Sequence, residues 1–224
     1  MSHYGNATAD LLDEVFERGV RRAVVLMRHS AREYHPERHD LENPLTDEGR
    51  SFAVRLGERL PKQLTLRAYA SPPERCMETA ALILDAHRQL GGVATRHRAL
   101  EALGVFYSLD QIRMWQGMKS AGGLVPYVQS WVAGLVPKDA MISSELAASI
   151  VLDVLQEKLA SRVADEQLDV CVSHDMTLYL LRSQLLGEQI GDEPVEYLDG
   201  LVLFEEGDDL KMKSRHGSEI TLSV

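Results

Sequence analysis

The sequence predicts an α/β fold: a three-layer αβα sandwich with a mostly parallel central sheet and a small inserted cap. Three observations carry this. Two apolar runs, Val24-Val25-Leu26-Met27 and Val170-Cys171-Val172, each stop at a histidine beside charge, Arg28-His29-Ser30-Ala31-Arg32 and Ser173-His174-Asp175. In open α/β sheets, ligands sit beyond the carboxyl ends of such strands. The first run is continuously apolar rather than alternating, which suits a strand covered on both faces. The chain has 224 residues and is 45% apolar, enough for a real core.

The elements follow in order. Asp10–Gly19 reads as a short helix with Leu11, Leu12, Val15 and Phe16 on one face. Arg22–Met27 is the first core strand, and the polar Glu33–Pro44 stretch is a loop over its end. Thr46 caps a helix running to about Leu60, with Phe52, Val54, Leu56 and Leu60 as apolar contacts. Gly49 inside that helix costs about 1 kcal/mol, so close packing is expected around it. Leu66–Ala70 is the second strand. Pro72 and Pro73 suit the first turn of the next helix, which runs to about Leu90. Thr95–Arg98 is expected as a third strand. Residues 101–142, rich in glycine and aromatics, read as short helices in a cap inserted into a single domain spanning residues 1–224. Ser143 or Ser144 caps a long helix to about Arg162. Asp169–Ser173 and Met176–Leu186 are a strand and a helix. Leu201–Glu205 and Leu210–Arg215 form a hairpin around Gly207-Asp208-Asp209, and Glu219–Val224 is a last strand.

The net charge of −10 argues against nonspecific nucleic-acid binding, which needs a basic footprint. A local arginine cluster can still hold an anion. The polar N-terminus lacks an apolar signal core, and no stretch approaches the roughly 18 apolar residues of a membrane span. A cytoplasmic protein with no membrane partner is therefore expected. Cys76 and Cys171 read as buried free thiols, not a disulfide framework.

Tyr69 through Ala80 adds Arg75 just after the second strand. Two histidines, three arginines and an aspartate at three strand ends describe an anion site, most simply a phosphate site. Each residue alone has a plainer reading: a packed histidine, a solvated arginine, an aspartate at a helix start. Together the residues form a pattern. Arg28-His29-Ser30, Leu45-Thr46-Asp47-Glu48-Gly49, Ser71-x-x-x-Arg75-x-x-x-Thr79-Ala80 and Ser173-His174 occur in that order, and the chain resembles the histidine phosphatase superfamily, also called phosphoglycerate mutase-like.

The resemblance implies a metal-independent phosphomonoester hydrolase, without cofactor, acting on a small phosphomonoester or a phosphoprotein. It implies His29 as nucleophile, Arg28, Arg32, Arg75 and His174 as phosphate ligands, and Asp175 as general acid. The His174-Asp175 pair and Arg28-His29-x-x-Arg32 are similar to the acid phosphatase branch. In the mutase branch the acid is a mid-chain glutamate, for which Glu101 is the candidate. The superfamily's alternative outcomes are phosphoryl transfer to an acceptor, or phosphate binding without efficient chemistry. Two positions depart from the pattern. Ser30 replaces a glycine, where its side chain would crowd the phosphate or donate to it, and Tyr34 replaces a proline. His35, Glu37, His39 and Asp40 do not have compact metal-site spacing and read as a solvated loop or substrate-facing lip. Tyr107, Arg113, Trp115 and Lys119 are candidates for leaving-group contacts.

Overall fold

The computed structural model describes residues 3–35, 42–217 and 219–222. Among these, eight strands form one sheet in the order β3-β2-β5-β1-β6-β7-β8, with β4 beside β2. The strands are β1 (Arg22–Arg28), β2 (Thr65–Ala70), β3 (Val93–Ala94), β4 (Arg98–Ala99), β5 (Gln167–Ser173), β6 (Gly200–Glu206), β7 (Asp209–Ser214) and β8 (Glu219–Leu222). β1, β2, β3, β4 and β5 run parallel, and β6, β7 and β8 add an antiparallel meander.

The helices are α1 (Asn6–Glu17), α2 (Asp47–Arg59), α3 (Glu74–Gln89), α4 (Gln111–Ala121), α5 (Leu124–Val132), α6 (Ser144–Ala160) and α7 (Asp175–Gln184). Successive strand side chains point to opposite faces, so β1 feeds two cores. Ala23, Val25 and Met27 join Leu12, Val15, Phe52, Leu56, Cys76 and Ile83 on the side of α1, α2 and α3. Val24 and Leu26 join Val128, Trp131, Val151, Leu155 and Leu178 on the side of α5, α6 and α7. This is the expected sandwich.

Capping sets the helix ends close to where the sequence puts them. Thr46 accepts from Gly49 N at the start of α2, and Ser143 accepts from Leu146 N at the start of α6. α1 begins earlier than Asp10, after Gly5 takes a left-handed φ of 89°. The two prolines precede α3 rather than entering it. The expected third strand, Thr95–Arg98, is corrected: two short pieces, β3 and β4, pair with opposite ends of β2. The polar run between them lies at the sheet edge, where little burial holds it in the ladder.

Close approach explains Gly49. A Cβ there would stand 2.0 Å from the Ala31 carbonyl oxygen, so α2 rests directly on the chain leaving β1. Across the middle of the sheet, Arg67 and Asp169 face each other in register on β2 and β5 and form a buried pair, Nε to Oδ1 2.5 Å.

Within residues 101–142, Tyr127 and Trp131 are core residues, and the Trp131 ring packs against Tyr107 at 5.0 Å. No helix among the described residues is long and apolar enough to cross a membrane.

Candidate active site

The carboxyl ends of β1, β2 and β5 lie side by side, and each delivers one polar residue. The last rungs of the ladder set their heights. His29 N donates to Ser173 O (3.0 Å), and Ser71 N donates to Val172 O (2.9 Å). His29 and His174 therefore emerge next to each other, with ring centroids 5.6 Å apart.

Helix α3 supplies the cation between them. Arg75 and Thr79 are four residues apart and share a helix face. Arg75 Nε donates to His29 Nε2 at 3.1 Å, and its Nη2 stands 3.5 Å from His174 Nδ1. Ser71, just ahead of the helix, meets His174 Nε2 at 2.8 Å. Thr79 accepts from Ser30 N at 3.1 Å and donates back to Arg75 O at 2.7 Å. The motif from Ser71 to Thr79 is thus one scaffold that fixes both histidines.

The tautomer of His29 follows from its partners. A carbonyl oxygen only accepts, so Nδ1, 2.8 Å from Ser30 O, carries the proton. Nε2 keeps its lone pair and accepts from Arg75. Burial, then the nearby His174, Arg75 and Arg28, hold the His29 pKa well below the ordinary imidazole value. The ring is neutral, with its lone pair facing the guanidinium of Arg75.

The Ser30 side chain is turned toward α2. Its hydroxyl donates to Gly49 O at 2.6 Å and is fully buried, so it ties α2 to the end of β1 instead of facing a ligand. Ser173 is likewise turned to structure, donating to Leu103 O at 2.6 Å.

Arg28 lies beside the histidines, gripped by a wall that sequence reasoning missed. Its Nη1 donates to Val195 O (2.7 Å), its Nη2 pairs with Asp175 Oδ2 (2.9 Å), and its backbone N donates to Asp199 O (2.9 Å). The ring of Tyr197 lies 4.1 Å under the guanidinium and 5.9 Å from the His29 ring. The residues of this wall follow a polar loop with no periodicity, and only the apolar run starting at Leu201 marks a strand nearby.

Asp175 opens α7. Its Oδ1 accepts from Met176 N at 2.8 Å while Oδ2 holds Arg28, so it serves both the helix end and the site. Arg32 stands at the mouth of the loop. Its backbone bridges Leu45, its Nη1 donates to Glu33 O at 3.1 Å, and its guanidinium lies 5.9 Å from the exposed Tyr34 ring. Glu101 is exposed on the turn Glu101–Leu103. Three residues on, a Cβ on Gly104 would sit 3.2 Å from Ser71 Oγ, which brings that turn against the scaffold of Ser71 and Arg75.

Of the leaving-group candidates, Tyr107 is corrected to a core residue: it is fully buried and its hydroxyl meets Thr177 Oγ1 at 3.1 Å. Arg113 pairs with Asp139 and Asp110 on the surface. Trp115 is 58% exposed, with Lys119 Nζ 5.5 Å from its ring. His35 pairs with Glu33 at 2.9 Å, while Glu37, His39 and Asp40 lie outside the described residues. Cys76 and Cys171 are buried free thiols, as expected.

Two histidines, one of them neutral with a directed lone pair, share an arginine fork at three parallel strand ends. Residues 24–111 match the histidine phosphatase superfamily (branch 1). The match spans Arg28, His29, Arg32, Ser71, Arg75, Thr79 and Glu101. Among solved structures, a Bacillus anthracis phosphoglycerate mutase superposes with a TM-score of 0.54 at 18% identity, covering 93% of this chain and 95% of that one. A mycobacterial glucosyl-3-phosphoglycerate phosphatase in complex with VO3 gives 0.55 at 17% identity, covering 86% and 97%. A phosphoserine phosphatase mutant from Entamoeba histolytica, in complex with phosphoserine, gives 0.53 at 14% identity, covering 90% and 95%. These likenesses establish the fold over nearly the whole chain. No curated protein matches the sequence.

Proposed function

We propose that this protein hydrolyses phosphomonoesters through a phosphohistidine on His29, without a metal. The observation that carries the reading is the state of His29: neutral, with Nδ1–H fixed on Ser30 O and the Nε2 lone pair beside Arg75. A nucleophile at phosphorus needs that free pair, and phosphoryl transfer depends on positioning and charge stabilisation.

In the first step His29 Nε2 attacks phosphorus, the P–N bond forms, the ester P–O bond breaks, and Asp175 protonates the leaving oxygen. In the second, water attacks the phosphohistidine, Asp175 takes its proton, and inorganic phosphate leaves as the P–N bond breaks. Arg28, Arg32, Arg75 and His174 hold the phosphoryl oxygens through both steps, guanidinium forks being suited to that geometry. Arg28 pairs with Asp175 Oδ2 at 2.9 Å, so the phosphate ligand and the acid stand side by side. In this reading the leaving group lies toward the turn at Glu101–Leu103 and the described end of the loop, Glu33–His35. The named activities of the solved relatives, on phosphoserine and a glycosylated phosphoglycerate, favour a small phosphomonoester over a phosphoprotein.

A second reading, phosphoryl transfer to an acceptor with Glu101 as acid, is favoured by the contact of the Glu101 turn with the Ser71 region. Hydrolysis of p-nitrophenyl phosphate in the presence of a chelator tests the first reading. Wild type releases phosphate without an added acceptor and the folded His29→Ala variant does not. Phosphate release that requires an acceptor favours the second.

A further inference from the structure

Three of the contacts on Arg28 come from one five-residue segment between α7 and β6. Val195 O takes the guanidinium, Asp199 O takes the backbone N–H, and the Tyr197 ring lies under the fork, its centroid 4.1 Å from Cζ. The segment is itself under constraint. Leu198, between the aromatic and the aspartate, is the only non-glycine residue with positive φ among the described residues, at 59°. A leucine holds this left-handed conformation only where its surroundings over-determine it. Here the restraint is visible. Thr8 of α1 donates to Leu198 O at 2.6 Å, and the Leu198 side chain is fully buried against Gly5. Tyr4 then packs edge-on against Tyr197 at 5.4 Å and against Phe52 of α2 at 5.2 Å. Tyr4 and α1 thereby buttress the wall from behind.

We infer that Tyr197 is a positioning residue for the phosphate site: its ring holds the Arg28 fork in place and closes the side of the pocket next to His29. The inference rests on the phosphate-site reading of Arg28 above. The ring supplies what the hydrogen bonds do not. Arg28 Nε is buried with no hydrogen-bond partner among the described residues, and the Tyr197 ring covers the guanidinium face, which in-plane acceptors do not reach. A cation over a partly desolvated ring is held by the ring's negative face. The tyrosine hydroxyl has no part in this, so phenylalanine should replace it and leucine should not.

The test compares Tyr197→Leu and Tyr197→Phe with wild type. The first readout needs no turnover. The Nε–H resonance of Arg28, assigned by its loss in Arg28→Lys, is expected at an upfield, ring-current-shifted position in wild type and Tyr197→Phe. In folded Tyr197→Leu it moves to the ordinary arginine range. The second readout is binding of vanadate and the kinetics of p-nitrophenyl phosphate. Tyr197→Leu is expected to weaken vanadate about tenfold and to raise KM more than it lowers kcat, while Tyr197→Phe keeps wild-type values. An unshifted Arg28 signal in wild type, or a folded Tyr197→Leu with wild-type signal and vanadate affinity, overturns the inference. Failure of the hydrolase reading looks different: wild type turns over nothing, yet the Arg28 signal still responds to Tyr197.

Discussion

Arg28 and Asp175 are bound to each other, Nη2 to Oδ2 2.9 Å, across the ends of β1 and α7. One is the proposed phosphate ligand and the other the proposed acid. If both roles hold, the pair would link binding of the phosphoryl group to delivery of the leaving-group proton.

That link makes the effect of Asp175→Asn depend on the leaving group. General acid catalysis contributes roughly 10²–10⁴-fold where the leaving oxygen is basic. An alkyl phosphate such as phosphoserine should lose about that much in kcat/KM, and p-nitrophenyl phosphate less than about tenfold. Steady-state kinetics on both esters check this. Equal losses on the two would remove the acid role from Asp175, and a leaving-group-dependent loss in Glu101→Gln instead would place it on Glu101.

The pH dependence follows from His29. Burial and its cationic neighbours lower its pKa in the folded protein below the unfolded value of about 6.5. Between those values the unfolded chain binds more protons, so stability rises with pH there. The contribution is present above about 6.5 and is lost as pH falls toward the folded pKa. His29→Ala should flatten that decline, read as urea midpoints from pH 7 down to 4. The same shift keeps the nucleophile neutral in acid, so the acid limb of kcat/KM should lie below pH 6.5.

Gly49→Ala should destabilise through backbone contact rather than propensity. The new Cβ would overlap the Ala31 carbonyl, which cannot swing aside like a flexible side chain. A loss of about 1–3 kcal/mol is expected by thermal or urea unfolding, with reduced phosphate affinity, because Ala31 follows His29 by two residues. A stabilised variant would show that α2 does not rest on this chain.

The buried pair in the sheet is predicted to be replaceable but not divisible. Arg67→Met strips the buried Asp169 of its cation and leaves it the Gln167 Nε2 donor at 2.7 Å, and should cost about 3–5 kcal/mol. Arg67→Met with Asp169→Leu should recover most of this. Additive losses in the double variant would mean the two do not act as a pair.

Much of the fold was legible because its signals are local. Thr46 and Ser143 cap where capping chemistry puts them, and the continuous apolar runs of β1 and β5 lie between two helical layers. The edge strand was misread because nothing within Thr95–Arg98 itself signals that the run lies exposed at the sheet edge. In the site, His29, Arg75 and His174 came together as their motifs imply, since each stands within five residues of a parallel strand end. Ser30 and Tyr197 were not legible. The first looked like a substitution facing the ligand, but the turn after β1 aims its hydroxyl at α2. The second acquires its meaning only when the chain returns after α7 and lays its ring under Arg28.

The most direct measurement is to mix the protein with a radiolabelled phosphomonoester in the presence of a chelator, quench in alkali, and map the label. An alkali-stable, acid-labile phosphoryl group is expected on the peptide carrying His29, absent in His29→Ala and chased by water into free phosphate. Turnover without label on His29, or label that survives His29→Ala, would contradict it.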